Sequence, residues 1–140
     1  MLDTSVIIAG ERGTLRLEAM LESLGDEAVA IAAITASELL HGAHRGADAG
    51  VRARRAAFAE AVLDLVPVLP FGLAEARRHA QLWAELLAAG AMIGPQALLV
   101  GATALARGYG VATMSQREFE RVAGLRVVPV SPFLARAAVR

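Results

Sequence analysis

Short apolar runs alternate along this chain with longer segments in which apolar residues recur every three or four positions. The short runs are rich in Val, Ile and Ala and occupy residues 28–34, 66–71, 110–113 and 125–130. The longer segments occupy residues 15–24, 36–45, 52–65, 73–89 and 96–107. The first pattern is typical of buried parallel strands, and the second is typical of amphipathic helices. Their alternation predicts an α/β fold in which a mainly parallel sheet lies between helical layers.

The first five residues carry the most informative local pattern. An apolar step runs directly into Asp3-Thr4-Ser5, which predicts the end of a strand and then a helix whose cap is Thr4 or Ser5. Asp3 is then expected at the carboxyl end of a strand, where open α/β sheets bind their ligands. Taken alone, these residues also fit an ordinary helix cap. Only Met1 and Leu2 precede Asp3, whereas strands usually run about five residues, so either the start has been trimmed or the strand is stunted.

Glu38 lies in a second passage from an apolar run to a helix, within the stretch ITASEL at residues 34–39. Its apolar neighbours Ala36 and Leu39 predict that this face turns towards the sheet, where a charge needs a partner or a metal. Asp3 and Glu38 would bring two carboxylates to one edge of a parallel sheet. Carboxylate oxygens are the ligands that a cation such as Mg²⁺ prefers.

Composition excludes several classes of protein. A length of 140 residues predicts one domain over residues 1–140. Although 56% of the residues are hydrophobic and the mean hydropathy is +0.49, no apolar run reaches the roughly 18 residues of a membrane span. The absence of cysteine excludes disulfides and thiolate metal sites, and together with the lack of a signal-peptide pattern it predicts a cytoplasmic protein. No phosphate-binding glycine motif follows a strand, which excludes dinucleotide and P-loop chemistry.

Charge does not by itself indicate nucleic-acid binding, because the formal net charge is zero. Any surface that faces RNA would be a local group of arginines, and Arg52, Arg54 and Arg55 form one. Contact with RNA phosphates and a solvated helix end both explain this group. Trp83 shares an apolar helix face with Leu87 and is expected in the core, not as a platform for base stacking.

The motifs, taken in order, resemble those of the PIN-domain ribonucleases, and among these the VapC-type toxins of bacterial toxin–antitoxin pairs. The resemblance covers nearly the whole chain. It rests on LDTS (2–5), ITASELLHG (34–42), VLPF (68–71), IGPQ (93–96), ATA (102–104), VAT (111–113), REFERV (117–122) and GL (124–125). Each piece is weak alone, but together, in the order and spacing of the family, they strongly indicate common fold and ancestry.

The resemblance implies a three-layer α/β/α PIN-like fold that cuts RNA with Mg²⁺ or Mn²⁺ as its cofactor. In such a site the metal lowers the pKa of a bound water and stabilises charge on the scissile phosphate. By position, Asp3 is the first acid and a direct metal ligand, and Glu38 is the second, which orients water or metal. Glu118 is a third candidate catalytic residue, one turn after a polar position that is Ser115 here. A solvated short helix anchored by Phe119 explains Glu118 more simply.

The chain departs from the family at two positions that are usually acidic, and also at Ser115, which is a polar or acidic position in the family. Ala97 stands where the resemblance places the third acid, and Gly72 stands where an acid usually follows a strand. Mg²⁺ held by fewer carboxylates is bound loosely. Three interpretations are open: a naturally degenerate toxin, which the changes at Gly72 and Ser115 favour; a toxin disabled by an Asp-to-Ala change; and an active variant that uses Glu118 with Asp3 and Glu38.

Two functions follow from these interpretations. The first is a metal-dependent endoribonuclease toxin, whose expected substrate in this group is a transfer RNA. The second is a catalytically dead PIN-fold protein that acts by binding its antitoxin. The resemblance implies a VapB-type antitoxin, an RNA and a second copy of the chain as partners, and no membrane.

The helix faces carry more apolar residues than a core of 140 residues needs. Part of this apolar surface is therefore expected to be exposed, among the residues Leu17, Met20, Leu21, Leu24, Leu39, Leu40 and Ala43.

Overall fold

The computed structural model describes residues 1–136 of the chain. Those residues form helices α1 (Thr4–Glu11), α2 (Leu17–Ser23), α3 (Ala33–His44), α4 (Ala49–Leu65), α5 (Leu73–Ala89), α6 (Pro95–Arg107) and α7 (Gln116–Phe119). They also form strands β1 (Ile31–Ala32), β2 (Val68–Leu69), β3 (Val111–Ala112) and β4 (Val127–Val128), and a 3₁₀ turn at Ser131–Phe133. No helix in this part of the chain is long and apolar enough to cross a bilayer.

All five predicted helices form, but the predicted strands are too long. Each strand pairs over two residues only. The run at 28–34 is an example, because Ala33 and Ile34, predicted as strand, are the first turn of α3. Apolar residues at the end of a buried strand and at the start of a buried helix have the same pattern, so periodicity does not mark the boundary between them.

The strands form one series of parallel pairs around the first residues of the chain. β1 pairs with β2, and β3 pairs with β4, both in parallel. Segment 1–3 joins the two pairs: the Leu2 amide donates to the Ala30 carbonyl and the Asp3 amide donates to the Ala112 carbonyl, each at 3.0 Å. The order across the sheet is therefore β2, β1, segment 1–3, β3, β4. From its central segment the chain goes first to one side and later to the other, which creates the switch point where open α/β sheets bind ligands.

Two apolar clusters cover opposite faces of this sheet. Successive residues of a strand point to opposite faces, and Ile31 and Ala32 belong to different clusters, as do Val111 and Ala112. The cluster with Ala32 and Val111 is completed by residues of α5, α6 and α7, among them Leu82, Leu86, Val100 and Phe119. The cluster with Ile31 and Ala112 is completed by residues of α1 to α4, among them Val6, Ile7, Met20, Leu39 and Ala59. The predicted three-layer α/β/α arrangement is confirmed.

A buried acid ties α5 to α6. Glu75 is a fully buried residue, 1% exposed, whose carboxylate accepts a hydrogen bond from the Gly72 amide at 3.1 Å and pairs with the guanidinium of Arg107 at the end of α6. The hydrogen bond from Arg107 is the largest of the contacts that lower the pKa of Glu75. Gly72 is the residue that precedes α5, and its amide donates a hydrogen bond to the Glu75 carboxylate from the first turn of that helix.

The predicted partly exposed patch is confirmed only in part. Met20, Leu39 and Ala43 are buried, Leu17, Leu21 and Leu24 are half-buried, and Leu40 is exposed, at 36%. The reason is that α2, α3 and α4 pack on the same side of the sheet and cover these residues, with α3 and α4 in extensive contact.

Helix α5 carries two large apolar side chains that are exposed. Trp83 is 52% exposed and Leu87 is 65% exposed, so the expectation that Trp83 lies in the core is wrong. The apolar stripe of α5 is wider than the face that α6 covers, and the helix buries Leu82 and Leu86 in place of Trp83. His79 makes an edge contact with the Trp83 ring, at 5.8 Å between centroids.

Candidate active site

Asp3 lies at the carboxyl end of the central segment, and two hydroxyl groups hold its carboxylate. Ser5 and Thr113 each donate to Asp3 Oδ2 at 2.8 Å, and their own oxygens are 3.3 Å apart. Asp3 is the residue that precedes α1, but its side chain makes no capping hydrogen bond. The predicted caps are wrong as well, since Ser5 bonds to Asp3 and Thr4 bonds elsewhere. These hydroxyls therefore orient an acid instead of closing a helix end.

Glu38 is brought to the same edge by α3, whose second turn carries it. The Thr4 hydroxyl donates to Glu38 Oε1 at 3.0 Å, so the residue next to Asp3 holds the second acid. Burial raises the pKa of Glu38 above its ordinary value; the Thr4 bond opposes that shift, and the negative charge of Asp3 adds to it. Asp3 and Glu38 are thus neighbours whose charges repel, which is the arrangement that a bound cation stabilises.

The end of β3 is locked onto the start of α1 by the same hydroxyls. The Met114 amide donates to Ser5 Oγ at 3.0 Å, and the Ser115 amide donates to Thr113 Oγ1 at 2.9 Å. Thr113 is fully buried and Ser5 is half-buried. Each hydroxyl therefore donates to the acid and accepts from the backbone, which fixes Asp3 relative to the sheet.

Glu118 does not join Asp3 and Glu38, because its carboxylate is used at the start of α6. The Gly94 amide donates to Glu118 Oε2 at 3.1 Å, and Gly94 is the residue that precedes α6. Ala97 is the third residue of α6 and is 8% exposed. An acid at that third position commonly reaches back to this same amide in a capping box. Glu118 thus supplies, from α7, an acceptor that an acid at position 97 could have supplied from α6.

A bound metal would have few protein ligands in this arrangement. Within residues 1–136, no three His, Asp or Glu side chains lie close enough together to hold an ion. Asp3 Oδ1 and Glu38 Oε2 accept no hydrogen bond from the described residues, so each acid keeps one oxygen available. Mg²⁺ often binds through one or two carboxylates and several waters. The two acids fit a hydrated ion of that kind and do not fit a site of three carboxylates.

A hollow of about 360 Å³ opens on the Glu38 side of these acids. Arg12, Arg45 and Arg55 line it, together with Glu11 and Glu38. In the predicted arginine group, Arg55 donates to the carbonyl of Gly42 at 3.1 Å, and Arg52 makes the same kind of bond to Gly46. These arginines therefore satisfy one carbonyl in the last turn of α3 and one just beyond its end, and Arg55 also lines the hollow.

The sequence did not indicate the roles of Thr4 and Thr113. Both belong to motifs that carried the resemblance, but a hydroxyl that orients a carboxylate leaves no periodic signal. The bond between Thr113 and Asp3 joins residues 110 positions apart. The available signal was a Thr at the end of an apolar run, beside the switch point of the predicted sheet.

A sequence model described as the PIN domain matches residues 1–125. The chain therefore belongs to the PIN-domain family, as its motifs predict.

Individual relatives are of the VapC type. The chain is 36% identical over 131 residues to Ribonuclease VapC1 of Rickettsia felis, which covers 94% of this chain and 96% of the relative. It is 31% identical over 126 residues to the tRNA(fMet)-specific endonuclease VapC of Shigella flexneri, with 90% and 93% covered. The solved structure of VapBC-5, from the VapBC family of toxin–antitoxin systems of Mycobacterium tuberculosis, superposes with a TM-score of 0.75 at 31% identity, over 92% of this chain and 96% of that one. The resemblance to VapC-type proteins is confirmed.

Proposed function

We propose that this protein is the ribonuclease toxin of a VapBC-type pair, and that it cleaves RNA, with transfer RNA as the substrate class, in the presence of Mg²⁺ or Mn²⁺. The observation that carries the proposal is the placement of Asp3 and Glu38 as neighbours at the switch point of the sheet, joined through Thr4. The relatives support the choice of RNA, since their names are ribonuclease and tRNA(fMet)-specific endonuclease and the matches span nearly the whole chain.

Each residue of the site has a defined task in such a reaction. Asp3 and Glu38 would hold the metal, with water completing its coordination. When bound, the metal lowers the pKa of a water and stabilises charge on the scissile phosphate. Ser5 and Thr113 keep the Asp3 carboxylate in one orientation. The Thr4 hydroxyl fixes Glu38 through Oε1, which leaves Oε2 as the oxygen that would bind the metal or orient one of its waters.

A second function is favoured by one observation about the third acid. Ala97 has no carboxylate, and the Glu118 carboxylate binds the Gly94 amide instead of joining Asp3 and Glu38. A protein of this kind would keep the fold and bind its antitoxin without cleaving RNA. We infer that cleavage by the chain as it stands is slow, since losing a group that stabilises transition-state charge typically costs about 100-fold or more in rate.

A cleavage assay separates the two functions. Bulk transfer RNA is incubated with the protein in Mg²⁺ and, in parallel, in EDTA, and the Asp3→Asn variant serves as the matched control. The proposed nuclease gives products that need both the metal and Asp3. Equal products with Asp3→Asn would point to a contaminating nuclease, and no products at any protein concentration would favour the binding protein.

Binding to an antitoxin and pairing with a second copy of the chain are predictions about the partners of this protein. The VapBC-5 structure supports a VapB-type antitoxin as a partner, because that protein is a member of a family of toxin–antitoxin systems and shares the fold of this chain. The exposed face of α5 with Trp83 and Leu87 supports a homodimer, since apolar surface of this kind commonly marks a contact between proteins. Sedimentation of Trp83→Glu should show more monomer than the native chain, while Leu65→Glu, at an 82% exposed position on α4, should not.

A further inference from the structure

A second hollow adjoins the candidate active site at the carboxyl end of β3. It has a volume of about 600 Å³ and lies between residues 114–118 and the turn at 131–134. Ser115 and Glu118 line it. The Ser115 amide is bonded to the Thr113 hydroxyl, which in turn holds Asp3. A ligand in this hollow would therefore lie beside any phosphate held at Asp3.

The lining of this hollow is mixed in a particular way. Its apolar part is formed by Met114, Val130 and Leu134, of which Met114 and Leu134 are each 41% exposed. Its polar part includes the side chains of Ser131 and Gln116, which form no hydrogen bond within residues 1–136. A nucleobase has the matching chemistry, with apolar faces that stack and polar edges that form hydrogen bonds.

The wall that carries Leu134 is held in place by backbone contacts. Leu134 forms an antiparallel bridge with Leu15, and the Ala135 amide donates to the Thr14 carbonyl at 2.9 Å. The Arg16 guanidinium donates to the Pro132 carbonyl at 2.9 Å. A wall that is already ordered loses little conformational freedom when a ligand binds.

The two hollows beside the site differ in charge, which indicates different ligands. The hollow on the Glu38 side carries three arginines and two acids, so it suits charged groups. The hollow at the end of β3 carries one cation, Arg117, and one acid, Glu118, around its apolar part. Of the groups in a nucleotide, the base fits the second hollow and the phosphate does not.

We propose that this second hollow, the base pocket of Met114, Ser115, Gln116, Val130, Ser131 and Leu134, binds an unpaired nucleobase next to the scissile phosphate. The proposal rests on the proposed function, because the ligand is part of the RNA substrate. It adds that recognition near the cut depends on a base that is free to leave its stack.

Methionine methyl groups provide a direct measurement that does not depend on cleavage. The chain has four methionines, and Met114 lies in the base pocket while Met92 lies at the turn between α5 and α6. A short unpaired RNA is added in EDTA to protein labelled at the methionine methyls, and the same RNA with abasic positions serves as the control ligand. We expect the Met114 resonance to shift with the intact RNA only, and the Met92 resonance to stay in place.

Affinity measurements on variants complete the test. Leu134→Ala should weaken binding of the intact RNA by about fivefold, the lower range for a base-stacking contact, and should leave the abasic RNA unaffected. Leu65→Ala is the matched control on α4. RNA binding without a Met114 shift, equal weakening of both RNAs by Leu134→Ala, or no RNA binding overturns the base pocket. The nuclease is judged separately, since the absence of metal-dependent cleavage would overturn it whether or not Met114 shifts.

Discussion

Two fully buried threonines offer the sharpest test of the hydroxyl network, because one is bonded and the other is not. Thr113 donates to Asp3 at 2.8 Å and accepts from the Ser115 amide at 2.9 Å. Thr35 is equally buried, and its hydroxyl has no partner within residues 1–136. Replacing either with Val keeps the shape of the side chain and removes only the hydroxyl.

The expected effects differ in sign. Thr113→Val removes a hydrogen bond to a charged group, which is worth about 1.5 to 3 kcal/mol; Ser115 is exposed, so water can replace the bond to its amide. Thr35→Val removes a buried hydroxyl that gains nothing from folding, so the free energy of unfolding should stay the same or rise by up to about 1 kcal/mol.

Urea unfolding followed by circular dichroism measures both variants against the native chain. The midpoint should fall for Thr113→Val and should stay or rise for Thr35→Val, with the slope unchanged in both. Equal destabilisation by the two substitutions would refute the account of Asp3, because it would mean that the bonds of Thr113 add nothing beyond its shape.

Three further predictions concern single acids. Ala97→Asp should raise metal-dependent cleavage of transfer RNA by about tenfold or more, and equal rates would show that position 97 is not the fault. Because the pKa of Glu38 is raised above 4.5, the folded state binds its proton more tightly, so stability falls as pH rises through the raised pKa. Glu38→Gln should therefore unfold at higher urea than the native chain at pH 7 but not below pH 4.5; a constant difference across pH would contradict this. The pKa of Glu75 is lowered, so its ion pair with Arg107 stabilises the fold at pH values above the ordinary pKa of a glutamate and ceases to do so as the pH falls through the lowered pKa. Glu75→Gln should therefore lower the melting temperature at neutral pH and lower it less in acid.

The sequence was sufficient for most of the architecture and for placing two acids, Asp3 and Glu38, together in the candidate site. Helix ends are marked by glycines such as Gly90 and Gly108, which adopt positive φ at the ends of α5 and α6. Asp3 and Glu38 could be found because each lies where an apolar run passes into a helix, and parallel strands end at one edge. These signals are local, so they survive in a single sequence.

The remaining features depend on contacts that no local pattern records. Periodicity shows that α5 has an apolar stripe, but the packing of α6 decides that Leu82 is covered and Trp83 is not. Helix α7 has four residues, too few for a helical period to be visible. The use of Glu118 at the start of α6 joins residues 24 positions apart and could not be predicted from either motif alone.

Single-turnover cleavage of bulk transfer RNA in saturating Mn²⁺ tests the central claim, that Asp3 and Glu38 form the cleavage site, most directly. The comparison is between Ala97→Asp and the double variant that also carries Asp3→Asn, so that the reference protein has an acid at position 97 as well as at Asp3 and Glu38. The account predicts that the double variant is slower by about 100-fold or more, since it lacks a group that stabilises charge in the transition state. Equal rates for the two proteins would contradict it, because Asp3 would then have no part in the reaction.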